Sequence, residues 1–193
     1  MPDEQPGTLR QIGDLTIRLM RDEPGDFRLM ARWLTDERVL EFYEGRDRPQ
    51  SYDRVLAKYG PRVRGEDPVR PCILVYQERE IGYLQYYPVA SPEDYGLDDA
   101  TGTYAIDLFI GEPEYWGRGL GSRALSAFAA YILEELDATR IVIDPRVDNH
   151  RAIRSYEKCG FRKVKLLAGH ELHEGSRRDC WLMTIEAKAA LAP

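Results

Sequence analysis

This sequence predicts an α/β architecture, a mixed sheet crossed by helices, and three observations point to it. Short segments with the two-residue alternation of strands take turns along the chain with segments whose apolar residues recur at helical spacing. A glycine-rich turn stands directly between one such strand and one such helix. The 193 residues suffice for one self-supporting core, and no apolar run approaches the length needed to span a bilayer.

Taken in order, residues 1–13 are polar and acidic and read as a flexible end, as do residues 187–193, so one domain over residues 1–193 is expected. "LTIRLM" (15–20) alternates like a strand, and "DFRLMARWL" (26–34) sets Phe27, Met30, Ala31 and Leu34 on one helix face. "VRPCILVYQEREIGYLQYYPV" reads as a hairpin turning near Glu78 to Glu80, and "GTYAIDLFIGE" as a further strand. After the glycine turn, Leu120, Ala124, Leu125, Phe128, Ile132 and Leu136 form the apolar face of a helix. "RIVID" is a short apolar strand. A helix over 150–159 follows, with Asn149 as N-cap and Gly160 where a left-handed residue is wanted, and "FRKVKLL" and "CWLMTIE" close the chain as strands.

Composition narrows the function. A net charge of −6 argues against nucleic acid as a partner, because backbone phosphates call for clustered Lys and Arg. The first residues lack the basic-then-apolar order of a secretory signal, so a cytoplasmic protein with no membrane partner is expected. Cys72, Cys159 and Cys180 are odd in number and widely spaced, and read as reduced, mostly buried thiols. From Glu80 through Gly117 the chain has acids but no Lys, Arg or His. The stretch is either a solvated acidic face or a funnel for a cationic ligand.

In "EPEYWGRGLGSRAL" (112–125), Gly117, Gly119 and Gly121 alternate just before a helix, which leaves backbone N–H groups and the positive end of the helix dipole for an anion such as phosphate. A Walker A loop is excluded because no Lys follows the last glycine. A dinucleotide fingerprint fits loosely through Gly117, Gly119 and Ser122, with Asp144 ending the next strand, but it would stand in mid-chain after a hairpin.

"YWGRGLGSRAL", followed about thirty residues later by "DNHRAIRSYEKCGF", resembles the paired signature of the GNAT superfamily of N-acetyltransferases. Trp116 departs from the usual pattern, which has Gln or Arg there. The resemblance implies a mostly antiparallel central sheet flanked by helices, and acetyl-coenzyme A as co-substrate without a metal. It implies cofactor contacts from Phe109, Ile110, Gly117, Arg118, Gly119, Leu120, Gly121, Ser122, Asn149, Ala152 and Tyr156. "WLTDERVLEFYEGRD", "IDLFIGEPEYWGRGLGSR", "DPRVDNHRAIRSYEKCGFR" and "HELHEG" together resemble the aminoglycoside 6′-N-acetyltransferases, from about Leu15 to Glu186. Siderophore-assembly acyltransferases share parts of the pattern. On the aminoglycoside resemblance the acceptor is a cationic antibiotic, lined by Tyr43, Gln85, Asp107 and Asp144, with Glu171, Glu174 and Asp179 as further carboxylates.

Acetyl transfer to an amine needs a neutral nucleophile, a stabilised oxyanion and a protonated thiolate leaving group. Asp107 lies inside the apolar "AIDLFI", where it is a half-buried base or an acid on the exposed face of its strand; the resemblance assigns it the base role. Tyr156 is a core aromatic or, as the resemblance implies, the proton donor to sulfur. The oxyanion donor is expected in a backbone N–H near Ile110. Asp144 precedes Pro145 and can also cap a turn. "HELH" lacks the spacing of a zinc motif and reads as helix-face or loop histidines. Cys159 and Cys180 have packing roles, so direct transfer without a covalent enzyme intermediate is expected. Acetylation of another amine or hydroxylamine, and a non-catalytic coenzyme A-binding module, are the alternatives.

Overall fold

A computed structural model describes residues 7–187. Eight strands form one sheet in the order β1-β2-β3-β4-β5-β6-β8-β7. The strands are β1 (Thr8–Ile12), β2 (Leu15–Leu19), β3 (Arg70–Tyr76), β4 (Arg79–Pro88), β5 (Thr103–Ile110), β6 (Arg140–Ile143), β7 (Arg162–His173) and β8 (Ser176–Glu186). Every neighbouring pair is antiparallel except β5 and β6. The mixed, mostly antiparallel sheet expected from the resemblance is therefore present.

The helices cover both faces. On one face α4 (Leu120–Glu135) and α5 (His150–Lys158) pack over the sheet, with Leu125, Phe128, Ile132 and Ile153 buried against Leu15, Leu84, Ile106 and Ile141. On the other, α1 (Pro24–Trp33) and α3 (Tyr52–Val63) bury Phe27, Met30, Trp33, Val55 and Tyr59 against Ile73, Val75 and Tyr83. The short α2 (Glu37–Leu40) lies between them in sequence. A third apolar cluster joins Ala105, Val142, Leu167, Cys180 and Leu182 to Tyr95. The outermost anchor of α1 is ionic: buried Arg18 on β2 donates to both carboxylate oxygens of Asp26, at 2.6 and 2.9 Å.

Three sequence expectations change, and one helix is added to them. Residues 8–12, expected in a flexible end, form β1, because the Leu19 amide donates to Gly7 at 2.8 Å and Leu9 packs on the core. Ala187 at the other end is tied by its amide to Thr139 at 2.8 Å; the remainder of the expected ends, residues 1–6 and 188–193, lies outside the described residues. The helix α3 is not among the elements expected from sequence, although Tyr52, Val55, Tyr59 and Val63 recur in it at helical spacing. It is set by its N-cap Ser51, whose hydroxyl accepts from the Arg54 amide, and by Val55 and Tyr59 one turn apart. "HELH" is neither helix nor loop but the end of β7, paired with β8 across a turn in which Glu174 and Gly175 have φ of 48° and 72°.

Candidate active site

The site follows from where β5 and β6 part. They pair only from Thr103↔Arg140 to Ala105↔Val142, and β5 then runs on to Ile110 while β6 ends at Ile143. Beyond that point, alternate amides of β5 face no strand partner on the β6 side. A cavity of about 710 Å³ occupies the gap, a volume suited to a sizeable ligand.

Fifteen of the expected site residues line this one cavity: Tyr43, Gln85, Asp107, Phe109, Ile110, Gly117, Gly119, Leu120, Gly121, Ser122, Asp144, Asn149, Ala152, Tyr156 and Glu171. Three are not in its wall. The Arg118 guanidinium lies over the Tyr115 ring, 5.1 Å from its centroid. Glu174 is committed to Arg46, accepting from Nε at 2.5 Å and from the other guanidinium nitrogen at 2.9 Å. Asp179 accepts from the Gly169 amide at 2.8 Å, so of the three further carboxylates only Glu171 faces the cavity.

One end of the cavity is built for anions. Gly117 and Gly119 both have φ of 74°, and Gly119 is the N-cap of α4 without any side-chain cap, so the first amides of that helix have no intrahelical acceptor. Gly121 already lies within α4, so two of the three glycines make the turn. The Ser122 and Ser155 hydroxyls meet at 2.7 Å and join the first turn of α4 to the middle of α5. Sequence reasoning missed the cations here: Arg151, Arg154 and Lys158 line the cavity from one face of α5. Arg151 lies over the Trp116 ring at 4.5 Å, and Trp116 Nε1 donates to the Ile110 carbonyl at 2.8 Å.

The other end is acidic. Asp107 is paired in register with Gln85, and two-residue alternation puts both on the α3 face with Tyr83 and Phe109. Gln85 Nε2 donates to the Asp107 carboxylate at 2.6 Å. Burial and then the charge of Asp144 push the Asp107 carboxyl up to about 6, against opposing help from Gln85 and Arg62. Asp144 is bound to His170 Nε2 at 2.9 Å, and that hydrogen bond raises the imidazole above its ordinary value. Glu44, held by Lys58, and Glu171 complete the carboxylates in the wall. The strand end is fixed from behind: Trp33 Nε1 donates to Glu112 at 2.9 Å, Arg32 reaches the same carboxylate, and a Cβ at Gly111 would overlap the Trp33 ring.

The acids between Glu80 and Gly117 are, with one exception, not in the cavity wall. Asp107 lines it. Glu80 lies against Arg18, Glu112 against Trp33 and Arg32, Glu114 against Arg79, and Asp99 caps Thr101. The cavity's negative charge comes from other parts of the chain.

Tyr156 is buried in the cavity wall, and burial pushes its phenol above the ordinary range, so it stays protonated. Asn149 caps α5 by accepting from the Ala152 amide at 3.1 Å. Cys72 and Cys180 are buried thiols, the latter pushed up to about 12 by burial, and neither lines the cavity. His173 is buried against Glu171 at 3.0 Å, and no group of three metal-ligating side chains occurs among the described residues. No helix among them is long and apolar enough to cross a membrane.

Comparison with known proteins agrees with this geometry. The chain is 30% identical over 151 residues to an aminoglycoside N(6′)-acetyltransferase type 1 of Klebsiella pneumoniae, covering 77% of this chain and 74% of the relative. It is 26% identical over 179 residues to an N(6)-hydroxylysine O-acetyltransferase of Escherichia coli, covering 85% and 53%. The fold matches a solved aminoglycoside acetyltransferase AAC(6′)-Ib in complex with coenzyme A and kanamycin with a TM-score of 0.71 at 26% identity, covering 89% of this chain and 94% of that one. The family description "Acetyltransferase (GNAT) domain" matches residues 22–168, a span that runs from α1 through the cradle and both α4 and α5 into β7. The chain thus belongs to the GNAT acetyltransferases and is an acetyl-coenzyme A-dependent N-acetyltransferase.

Proposed function

We propose that this enzyme acetylates the 6′-amine of an aminoglycoside by direct transfer in a ternary complex. The observation that carries the reading is the convergence of four carboxylates, Glu44, Asp107, Asp144 and Glu171, at the end of the cavity opposite the anion cradle. Such a wall suits a ligand with several ammonium groups, and the relatives that act on or bind aminoglycosides support it.

The residues fit coenzyme A as the other ligand. The free amides at Gly119 to Ser122 suit a pyrophosphate, and Arg151, Arg154 and Lys158 suit a further phosphate. Bound there, acetyl-coenzyme A supplies an activated acyl carbon to the gap between β5 and β6. An alkylammonium is neutral in fewer than about one molecule in a thousand at neutral pH. Asp107, mostly ionised above about pH 6, accepts its proton and orients the amine. A β5 amide facing the gap is the donor for the developing oxyanion, and the Tyr156 phenol protonates the departing thiolate. The cytoplasm, where acetyl-coenzyme A is made and used, is the compartment this reading requires.

The test is incubation with acetyl-coenzyme A and kanamycin. Addition of one acetyl group by mass, at the 6′-nitrogen by NMR and with one thiol released per acetyl, is expected. A congener with a 6′-hydroxyl should turn over far more slowly. Turnover of a hydroxylamine or polyamine, with kanamycin untouched, would overturn the acceptor assignment and leave the acetyltransferase in place.

A further inference from the structure

The resemblance put Gln85 among acceptor-binding residues, yet both ends of its amide are engaged within the protein. Its Oε1 accepts from the Tyr83 hydroxyl at 2.8 Å and from Arg62 at 2.9 Å, and its Nε2 donates to Asp107 at 2.6 Å. The orientation of the amide is not free. A guanidinium and a phenol that donate must meet the oxygen, which leaves only the NH2 to face the carboxylate. Gln85 is buried, at 8% exposure, and so is held in this arrangement by the strands around it.

Arg62 enters from α3, which no site motif includes. It lies over the Tyr59 ring at 5.4 Å and 3.9 Å from Asp67, with its side chain 18% exposed, so it is clamped on the side away from the cavity. A cation in the last turn of a helix has a structural use through the helix dipole. That use does not require contact with Gln85.

We propose that Arg62 and Gln85 are positioning residues for the base: a guanidinium–amide–carboxylate chain that aims Asp107 at the acceptor amine and favours its charged form. This rests on the reading of Asp107 as the base. Asp144 at the end of β6 and Glu44 beyond α2 both oppose ionisation of Asp107, and the phenols of Tyr43, Tyr87 and Tyr156 face it without charge. Arg62 is the cation set against those two carboxylates. Without it, Asp107 would be protonated over more of the neutral range and unable to accept a proton.

The test reads the carboxyl directly. The Asp107 side-chain carbon is titrated by NMR in the full enzyme, assigned by its loss in Asp107→Asn, alongside the pH profile of kcat with kanamycin. Arg62→Met and Gln85→Met should each raise the midpoint by about one unit and move the acidic limb of kcat with it, leaving acceptor KM unchanged well above the raised midpoint, where Asp107 is charged in every variant. Arg62→Lys, which keeps the charge, should restore most of the shift. Gln85→Met leaves Arg62 on Tyr59 and Asp67 and decides the question without disturbing α3. Unmoved midpoints in the methionine variants would overturn the relay. Undiminished turnover by Asp107→Asn would instead overturn the base reading on which it rests.

Discussion

Asp107→Asn should make the protein more stable while it makes the enzyme slower, and the size of the gain can be worked from the site. The carboxyl is pushed from 3.8 to about 6, chiefly by burial and then by Asp144. The folded state therefore holds a proton that the unfolded state has released between those values, and stability falls as pH rises through that window. At about 1.4 kcal/mol per unit, the charge costs about 3 kcal/mol once pH is well above 6, and less than about 1 kcal/mol near pH 4. Water in the cavity screens a carboxylate that faces it, so the larger figure is a ceiling. Asparagine keeps the oxygen that accepts from Gln85 and removes the charge. Urea unfolding of both proteins at about pH 4 and about pH 8 should show a gain for the variant that is small in acid and several times larger in base. Over the same range kcat should be lowered by roughly two to four powers of ten at neutral pH, and the acidic limb of the profile should vanish. An equal gain at the two pH values would mean that the carboxylate is not strained by burial. The account of Asp107 as a tuned base would then fail.

Two further outcomes follow from the ends of the cavity. Gly119→Asp puts a side chain at a φ of 74° and a negative charge among the free amides of α4, so calorimetric affinity for coenzyme A should fall by at least about tenfold; unchanged affinity would place the phosphates elsewhere. Raised by its bond to Asp144, the His170 imidazole stabilises the fold below its ordinary 6.5, and that contribution is lost as pH climbs through the raised value. Deprotonation also uncovers the Asp144 charge, so KM for kanamycin should fall across that window in the native enzyme, and His170→Gln should flatten the step; a step that persists in the variant would assign it to another group.

What was legible in the chain is what lies close together in sequence. The cradle could be read because two glycines at positive φ and the start of α4 fall within a few residues, and Asp107 because an acid amid Ala105, Ile106, Leu108 and Phe109 breaks the apolar character of its strand. The α5 stripe of Arg151, Arg154 and Lys158 is equally local, but basic residues at helical spacing are also what any solvated helix face carries, so the sequence does not separate the two. Glu44 and Arg62 carry no local signal. They reach the site only because α2 and α3 fold against the face of the sheet that bears Asp107. Glu174 falls outside the wall for a different reason: it stands in the turn after β7, where Arg46 holds its carboxylate, while Glu171 is still on the strand.

The charge of the whole chain, −6, says little about a site that is cationic at one end and acidic at the other. That division comes from topology. Where β5 and β6 separate, the start of α4 and one face of α5 bring amides and basic side chains to one side of the gap, while the loop beyond α2, the end of β6 and the strand β7 bring Glu44, Asp144 and Glu171 to the other. On the proposed reading, a ligand anionic at one end and a polycation would be drawn in from opposite sides, with like charges keeping each from the other's place. Asp107 lies on β5 between the two regions, the position from which a single carboxylate can take a proton from an amine already held by its neighbours. After burial, the charge of Asp144 in that acidic wall raises the Asp107 carboxyl, and the guanidinium of Arg62 offsets part of the rise, so the wall proposed to bind the amine would also tune the proposed base.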